Sequence, residues 1–132
     1  MKWTHRRRQI AKQYDMLLEK FDLTTPYVAD YAKHVYHLYV IRVKNRQHVM
    51  DALNKHAISS GVHYPIPLHR QKAYQYLGYE KGSFPVAETL AHEILSLPIF
   101  PEMIDKEVFK VASALSTVCG HRANSLFHHV SK

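Results

Sequence analysis

The chain has few of the residues from which several common kinds of site are built. Cys119 is its one cysteine, which excludes an internal disulfide and a zinc site made mainly of cysteine. Only four of the 132 residues are glycine, and no glycine-rich loop of either nucleotide-binding type is present. Eleven histidines are present, but they form no HExxH motif, no HxxxH pair on one helical face and no cluster with acidic residues. We therefore predict no metal site.

Long apolar runs are also missing. No segment is long enough to span a bilayer, and the basic start of the chain leads into no apolar stretch of the signal-peptide type. These absences predict a cytoplasmic protein without membrane contact. A length of 132 residues fits one domain, and the 46% hydrophobic content argues against a disordered chain.

Positive charge is concentrated near the beginning of the chain. The net charge is +7, and residues 1 to 20 carry six basic against two acidic side chains, or +4. The block His5-Arg6-Arg7-Arg8 has the composition of a phosphate contact. Three consecutive arginines on a helix point in different directions and do not form a stripe, so we predict a solvated helix start and do not expect nucleic-acid binding.

The first half of the chain predicts a helix, a strand and a second helix. Apolar residues at helical spacing predict an amphipathic helix from about Trp3 to Phe21. Its apolar stripe consists of Ile10, Tyr14, Leu17, Leu18 and Phe21. Residues 34 to 43 are rich in β-branched and aromatic side chains on both alternating sets, which is typical of a central strand covered on both faces. Asn45 is the predicted cap of the next helix, and Gly61 the predicted position of positive φ after it.

The second half predicts further short elements. A short strand begins at Gly61, but two prolines, at 65 and 67, force it to leave the sheet. Ser83 is the predicted cap of a third helix, residues 95 to 100 a third strand, and Asp105 the predicted cap of a last helix. The expected fold class is α/β: an α+β sandwich with a small sheet of about three strands and helices packed against it, preceded by the long amphipathic helix. The predicted domain covers residues 1 to 118, with the leading helix at 1 to 21, and a polar, frayed tail covers 119 to 132.

The segment from 61 to 79 is the best candidate for a binding site. It crowds rings with polar tips around two prolines, which fix the backbone at low entropic cost. Its main candidates are His63, Tyr64, His69 and Tyr74. Such a loop either lines a pocket for a polar ligand or plugs the end of the sheet, and its composition leaves both readings open. We expect the carboxylates, including Glu88, to face solvent or cap helices, and Cys119 to be a packing residue.

Four blocks of the sequence, in this order and spacing, resemble the C-terminal part of the DegT/StrS family of sugar aminotransferases. They are RRRQIAKQYDMLL at 6 to 18, HVYHLYVIRV at 34 to 43, GVHYPIPLHRQKAYQYLGY at 61 to 79 and FPVAETLAHEILSLPIFPEM at 84 to 103. The resemblance covers about residues 3 to 118. It implies a homodimeric enzyme of fold type I that uses pyridoxal phosphate to aminate a keto sugar attached to a nucleotide. Such enzymes usually take the amino group from glutamate and serve antibiotic or surface-polysaccharide pathways.

The resemblance also implies a missing part. The family's large N-terminal domain carries the lysine that forms the Schiff base, and no lysine here stands in the family's motif; Ser83-Phe84 is followed by Pro85. We therefore expect no catalytic residue and no cofactor on this chain alone, with pyridoxal phosphate implied for the complete enzyme. The expected role is the small domain of a truncated or split sugar aminotransferase. The resemblance implies that the nucleotide-linked keto sugar is contacted by four residues: His63, Tyr64, His69 and Tyr74.

Two further expectations concern partners. An apolar first helix that has lost a large domain predicts self-association through that helix and one face of the sheet. The alternative function is a small interaction or regulatory module that binds a partner protein or nucleic acid through the basic first helix.

Overall fold

The computed structural model describes residues 2 to 122 as four helices, two strands and two short 3-10 helices. In chain order they are α1 (Lys2–Leu18), β1 (Tyr39–Arg42), α2 (Arg46–Lys55), the 3-10 helices Leu68–Arg70 and Lys72–Leu77, α3 (Pro85–Glu93), β2 (Ile94–Leu97) and α4 (Asp105–Ser116). The predicted fold class, a small α/β domain, is confirmed.

The sheet is smaller than the predicted one. Strands β1 and β2 pair antiparallel, with Tyr39 opposite Leu97. Gly61 extends the sheet beyond β2 by a single bridge to Ser96, and Thr24 extends it beyond β1 by a bridge to Arg42. The segment before the prolines therefore pairs at one residue only, because the chain then turns away from the sheet.

Strand β1 is shorter than the predicted strand at 34 to 43 and is fully buried on one face only. Tyr36 has a φ of 48°, which interrupts the extended backbone, and its N–H donates to His34 Nδ1 at 2.9 Å. Tyr39 and Ile41 are fully buried, whereas Arg42 is exposed and binds Glu93. The aromatic and β-branched composition placed the strand correctly and overestimated its length.

Helix α1 packs its apolar stripe inside this chain, mainly against α4. Ile10, Tyr14 and Leu18 are fully buried, and Leu17 is half-buried. The Tyr14 hydroxyl donates to the Pro98 carbonyl at 2.8 Å. The expectation that this stripe is exposed for self-association is therefore wrong, because α4 already covers it.

The helix ends correct three sequence assignments. Asn45 caps α2 as predicted, since its side chain accepts the His48 N–H. The positive φ after α2 lies at Ala57, with φ 56°, and not at Gly61. The residues that cap α3 and α4 are Phe84 and Ile104.

The two residues predicted as caps of α3 and α4, Ser83 and Asp105, accept hydrogen bonds from other groups. Ser83 Oγ accepts the Glu80 N–H. At the observed cap of α4, the Ile104 N–H donates to the Glu107 carboxylate. Asp105 pairs with Arg6 of α1 at 2.9 Å. That pair ties the first helix to the last one.

Residues 119 to 122 pair with the turn that follows α1. The Asp22 N–H donates to the Gly120 carbonyl at 2.6 Å, and the Arg122 N–H donates to the Lys20 carbonyl at 2.9 Å. Cys119 is buried beside them, and burial, followed by the charge of Asp22, raises the pKa of its thiol. The rest of the predicted tail, residues 123 to 132, lies outside the described residues.

Candidate substrate-binding site

A cavity of about 670 Å³ lies between the 64 to 79 segment and α3. Most of its lining is aromatic or aliphatic, including Leu68, Leu77, Phe84 and Leu90. Five lining residues have polar side-chain atoms. Three of them, Tyr64, His69 and Tyr74, are predicted site residues, and the others are Gln71 and Tyr79. A concave, mainly apolar surface with a few polar groups is typical of a small-molecule site.

His69 is the best-positioned polar group of this cavity. It lies in the short 3-10 helix between the second proline and Gln71, and its Nε2 is 2.9 Å from the Glu88 Oε1 of α3. The side chains of His69 and Glu88 are only 7% and 16% exposed. The His69 ring also packs against Phe84, with the centroids 4.9 Å apart. Two contacts therefore hold the imidazole in one orientation.

Glu88 accepts hydrogen bonds from several donors. Besides His69, the Gly82 N–H donates to the same oxygen at 2.7 Å. Gly82 has a φ of 93°, a conformation that favours glycine and directs its N–H toward the carboxylate. The His69 hydrogen bond, with those from the Gly82 and Phe84 backbones, holds the pKa of Glu88 below its usual value against the opposing effect of burial.

This hydrogen bond assigns the protonation of His69. An ionised carboxylate only accepts, so Nε2 of His69 carries the proton that is shared with Glu88. Nδ1 is then the ring nitrogen that does not contact Glu88.

The two tyrosines of the site are more exposed than His69. Tyr64 is 73% exposed and Tyr74 is 39% exposed, so their hydroxyl groups are open to a ligand. Tyr79 packs edge-on against Phe84 at 4.9 Å and extends the aromatic wall. The cavity thus combines ring faces with hydroxyl and imidazole groups.

His63 does not join the other three. Its Nδ1 lies 2.9 Å from the Ser96 Oγ, and its ring lines a separate, smaller crevice beside the sheet. Sequence reasoning placed His63 and Tyr64 in one site because they are neighbours in the chain. The structure brings Tyr64, His69 and Tyr74 together on one cavity. His63 lines the neighbouring crevice, although its ring packs edge-on against that of Tyr64, with the centroids 5.7 Å apart.

Glu88 is the residue that sequence reasoning missed. It was assigned to solvent or a cap, but it binds a side chain 19 residues away. The available signal was weak: Glu88 is the acidic residue of the first turn of α3, a helix start that otherwise consists of small and apolar residues.

The arginines of α1 serve the fold. Arg6 donates to the Met103 carbonyl at 2.7 Å and to Asp105, and Arg8 donates to the His34 carbonyl at 2.8 Å. Two of the three consecutive arginines therefore hold neighbouring segments in place. This agrees with the prediction that they do not form a stripe.

Known proteins were compared with this chain. The model of the DegT/DnrJ/EryC1/StrS aminotransferase family matches residues 1–116. The chain belongs to this family. The resemblance identified from four sequence blocks is thereby confirmed.

One relative of this chain is named as a transaminase of a nucleotide-linked sugar and another as a regulatory protein. The chain is 40% identical over 111 residues to the dTDP-3-amino-3,6-dideoxy-alpha-D-galactopyranose transaminase of Aneurinibacillus thermoaerophilus, covering 84% of this chain and 30% of that protein. It is 39% identical over 125 residues to a pleiotropic regulatory protein of Geobacillus stearothermophilus, covering 92% of this chain and 34% of that protein.

Solved structures agree on fold and family. The crystal structure of S. venezuelae DesV in complex with a ketimine intermediate superposes with a TM-score of 0.83 at 32% identity. The match covers 86% of this chain and 31% of that one. The PLP-form of a putative sugar aminotransferase, Spr1654 from Streptococcus pneumoniae, gives a TM-score of 0.77 at 27% identity, over 87% and 31%. The chain thus spans about a third of the length of the relatives it matches.

Family enzymes depend on pyridoxal phosphate, and the lining of the cavity of about 670 Å³ decides whether this chain fits that cofactor. The cofactor needs a lysine amine for its imine, and no lysine of residues 2 to 122 lines this cavity. The lining present here does not fit covalent attachment of the cofactor. Within the same range, no group of three or more histidine, cysteine or acidic residues is placed to hold a metal ion, and no helix is long and apolar enough to cross a membrane.

Proposed function

We propose that this chain forms one wall of the substrate cleft of a sugar aminotransferase, and that the cleft takes a keto sugar linked to a nucleotide. The observation that carries the proposal is the convergence of Tyr64, His69 and Tyr74 on one cavity of about 670 Å³. Membership of the aminotransferase family and the sugar-nucleotide substrates named for its relatives support it.

The chemistry of the cavity suits a sugar. Sugar hydroxyl groups both donate and accept hydrogen bonds. The cavity lining offers matching groups: an imidazole, three phenol hydroxyls and the Gln71 amide. Aromatic faces such as Phe84 pack against the apolar face of a sugar ring. In this proposal Glu88 is a positioning residue, because it holds His69 at 2.9 Å and fixes which nitrogen the sugar meets.

The amino transfer itself belongs, in this proposal, to a complete or split enzyme whose imine-forming lysine lies on protein outside this chain. Pyridoxal phosphate supplies the electron sink for that step when it is bound. The contribution of this chain is to bind and orient the sugar and to exclude water from one side of it.

The experiment is a binding titration of the full chain with dTDP-glucose as the probe, followed by NMR. Tyr74→Phe removes a hydroxyl that lines the cavity, and Tyr76→Phe is the matched control on the same 3-10 helix, because Tyr76 is 80% exposed and is not part of the lining. We expect Tyr74→Phe to weaken binding about fivefold, the value of one hydrogen bond. Tyr76→Phe should leave it unchanged.

A second variant tests the positioning role of Glu88. Glu88→Ala removes the partner of His69 Nε2, and we expect it to weaken binding and to alter the ring nitrogen shifts of His69. Equal affinities for all variants, or signal changes confined to residues outside the cavity, would refute the proposal.

The interaction module stays a second candidate, and the structure gives it less support. Two arginines of its basic segment, Arg6 and Arg8, already bind groups of this chain. Titration with a short DNA duplex tests it, since binding that depends on Arg7 would favour the module.

A further inference from the structure

The two walls of the cavity of about 670 Å³ differ in polarity. Within residues 2 to 122, all of its polar side chains come from the 64 to 79 segment: Tyr64, His69, Gln71, Tyr74 and Tyr79. The opposite wall, formed by α3 and the residues at its two ends, contributes only apolar side chains over the same range: Phe84, Ala87, Leu90, Ala91 and Ile94. A ligand in this cavity therefore meets hydrogen-bonding side chains on one side and hydrocarbon on the other.

The apolar wall is one face of a regular helix. Ala87, Leu90 and Ala91 lie at helical spacing on the same side of α3, and Ala87 is exposed to the cavity. The carbonyl groups where α3 ends are already occupied, because Arg46 donates to those of Ala91 and Ile94. This end of the wall therefore offers a ligand neither side-chain nor main-chain acceptors that are free.

Charge separates the two walls from an anionic ligand as well. In the described part of the chain, the lining contains no lysine, arginine, aspartate or glutamate. Glu88 follows Ala87 in α3 and binds His69, whose hydrogen bond lowers the pKa of Glu88, so its carboxylate is ionised at neutral pH. An anionic group placed against Ala87 would find no cation in the lining and would lie close to this negative charge.

One carbon of a sugar is the most sensitive to such a wall. A pyranose hexose carries a single carbon outside its ring, which is a hydroxymethyl group in glucose, a carboxylate in a uronic acid and a methyl group in a 6-deoxy sugar. A hydroxyl placed against hydrocarbon loses its hydrogen bonds to water, and a carboxylate loses more, whereas a methyl group gains by leaving water. The ring hydroxyls can still bond to the polar segment.

We propose that the α3 wall makes this cleft specific for a 6-deoxy sugar and excludes a uronic acid, with Ala87 as a specificity-determining residue. The inference rests on the proposed function, because it takes the sugar to lie in this cavity. Membership of the family leaves the choice open, since relatives are named both as a transaminase of a dideoxy sugar and as an aminotransferase of a glucuronate.

Three probes that differ only at the exocyclic carbon test the proposal by NMR titration of the full chain: dTDP-6-deoxyglucose, dTDP-glucose and dTDP-glucuronate. We expect dTDP-6-deoxyglucose to bind about tenfold more tightly than dTDP-glucose, the cost of one hydroxyl left without a partner. The glucuronate should bind at least about tenfold more weakly than dTDP-glucose, because an unpaired charge costs more than an unpaired hydroxyl. All three carry the same nucleotide, so the ratios of their affinities report on the sugar.

Two substitutions change the chemistry of the wall. Ala87→Ser places a hydroxyl on it, and we expect the preference for dTDP-6-deoxyglucose over dTDP-glucose to fall to about twofold, because the sugar hydroxyl gains a partner. Ala87→Arg places a guanidinium there, which pairs with carboxylates. It should raise the affinity for dTDP-glucuronate relative to dTDP-glucose by about tenfold.

The matched controls are Ala73→Ser and Ala73→Arg. Ala73 is an exposed alanine of the Lys72–Leu77 3-10 helix and is not part of the lining. Ala73→Arg adds the same charge to the chain as Ala87→Arg, so a general attraction of anionic probes affects both variants equally. Both controls should keep the affinity ratios of the unaltered chain, and amide spectra check that every variant keeps the fold.

The outcomes separate this inference from the proposed function. If Tyr74→Phe weakens dTDP-glucose binding but the three probes bind equally well, the proposed function stands and the specificity is refuted. If none of the three probes binds, both are refuted. The specificity is also overturned if dTDP-glucuronate binds as tightly as dTDP-glucose, or if the Ala87 variants behave like the Ala73 variants.

Discussion

Neighbouring leucines at the end of α1 give a direct test of how this chain uses its apolar stripe. Leu18 is 0% exposed and belongs to the core, whereas Leu17 is half-buried at its edge. Truncation to alanine removes the same atoms at both positions and changes helix propensity equally. The difference between the two variants therefore measures burial alone.

The expected magnitudes follow from that burial. A fully buried Leu→Ala change costs about 3 kcal/mol, including the cavity left behind, and a half-buried one about 1 kcal/mol. In a domain of this size, 1 kcal/mol corresponds to about 4 °C in melting temperature. We expect Leu18→Ala to lower the melting temperature by about 12 °C and Leu17→Ala by about 4 °C.

Urea unfolding, repeated over a range of protein concentrations, is the assay. Loss of stability from within the chain shifts the urea midpoint by the same amount at every concentration, whereas loss of a dimer contact makes that shift depend on concentration. Equal losses for the two variants, or a Leu18→Ala loss that disappears on dilution, would show that the stripe is not buried inside the chain as the α1 and α4 packing requires.

Four further predictions concern pH, the cofactor and self-association. Burial raises the pKa of Asp15, although the hydrogen bond from Tyr39 opposes the rise. The free energy of unfolding therefore falls as pH rises through the folded-state pKa of Asp15. The Asp15→Asn variant should lack that fall when unfolding is measured across pH. The pKa of Glu88 is lowered, so its contribution is present above the unfolded-state pKa and is lost as pH falls through the folded-state pKa. Glu88→Gln should therefore flatten the acid side of the stability curve, and an unchanged acid side would contradict this. Borohydride reduction of the chain with pyridoxal phosphate should give no stoichiometric adduct on one lysine by mass spectrometry, and such an adduct would contradict the assignment of the lysine to protein outside this chain. Self-association stays a prediction for the sheet face alone, since the apolar stripe of α1 is buried inside the chain. Sedimentation should show a concentration-dependent species, and a monomer at the highest concentration would refute it.

Local sequence patterns predicted where the helices lie, but not which segments of the chain pack against them. The spacing from Ile10 to Leu18 indicates a helix without any knowledge of the rest of the chain. The segment that packs on that helix is set by contacts such as the one between Arg6 and Asp105, which lie 99 positions apart in the chain. Periodicity carries no information about such a contact, and the stripe was therefore assigned to another molecule.

The sheet and the site show the same limit. Composition identified β1, but the backbone turn at Tyr36 shortened it. Proline spacing and aromatic content, which are local features, predicted Tyr64, His69 and Tyr74 as site residues, and all three line one cavity. The contact of His63 with Ser96 and the hydrogen bond from His69 to Glu88 depend on β2 and α3, which come later in the chain.

The contact between α1 and α4 has a consequence for the order in which the chain folds during synthesis. The Tyr14 hydroxyl meets the Pro98 carbonyl 84 residues later, and Arg6 meets Met103 97 residues later. On a ribosome, α1 emerges well before its partner helix α4. Until α4 emerges it cannot cover the apolar stripe of α1, and exposed apolar surface aggregates or is bound by chaperones. Because long-range contacts form slowly, we expect this arrangement to lower the folding yield more than the final stability.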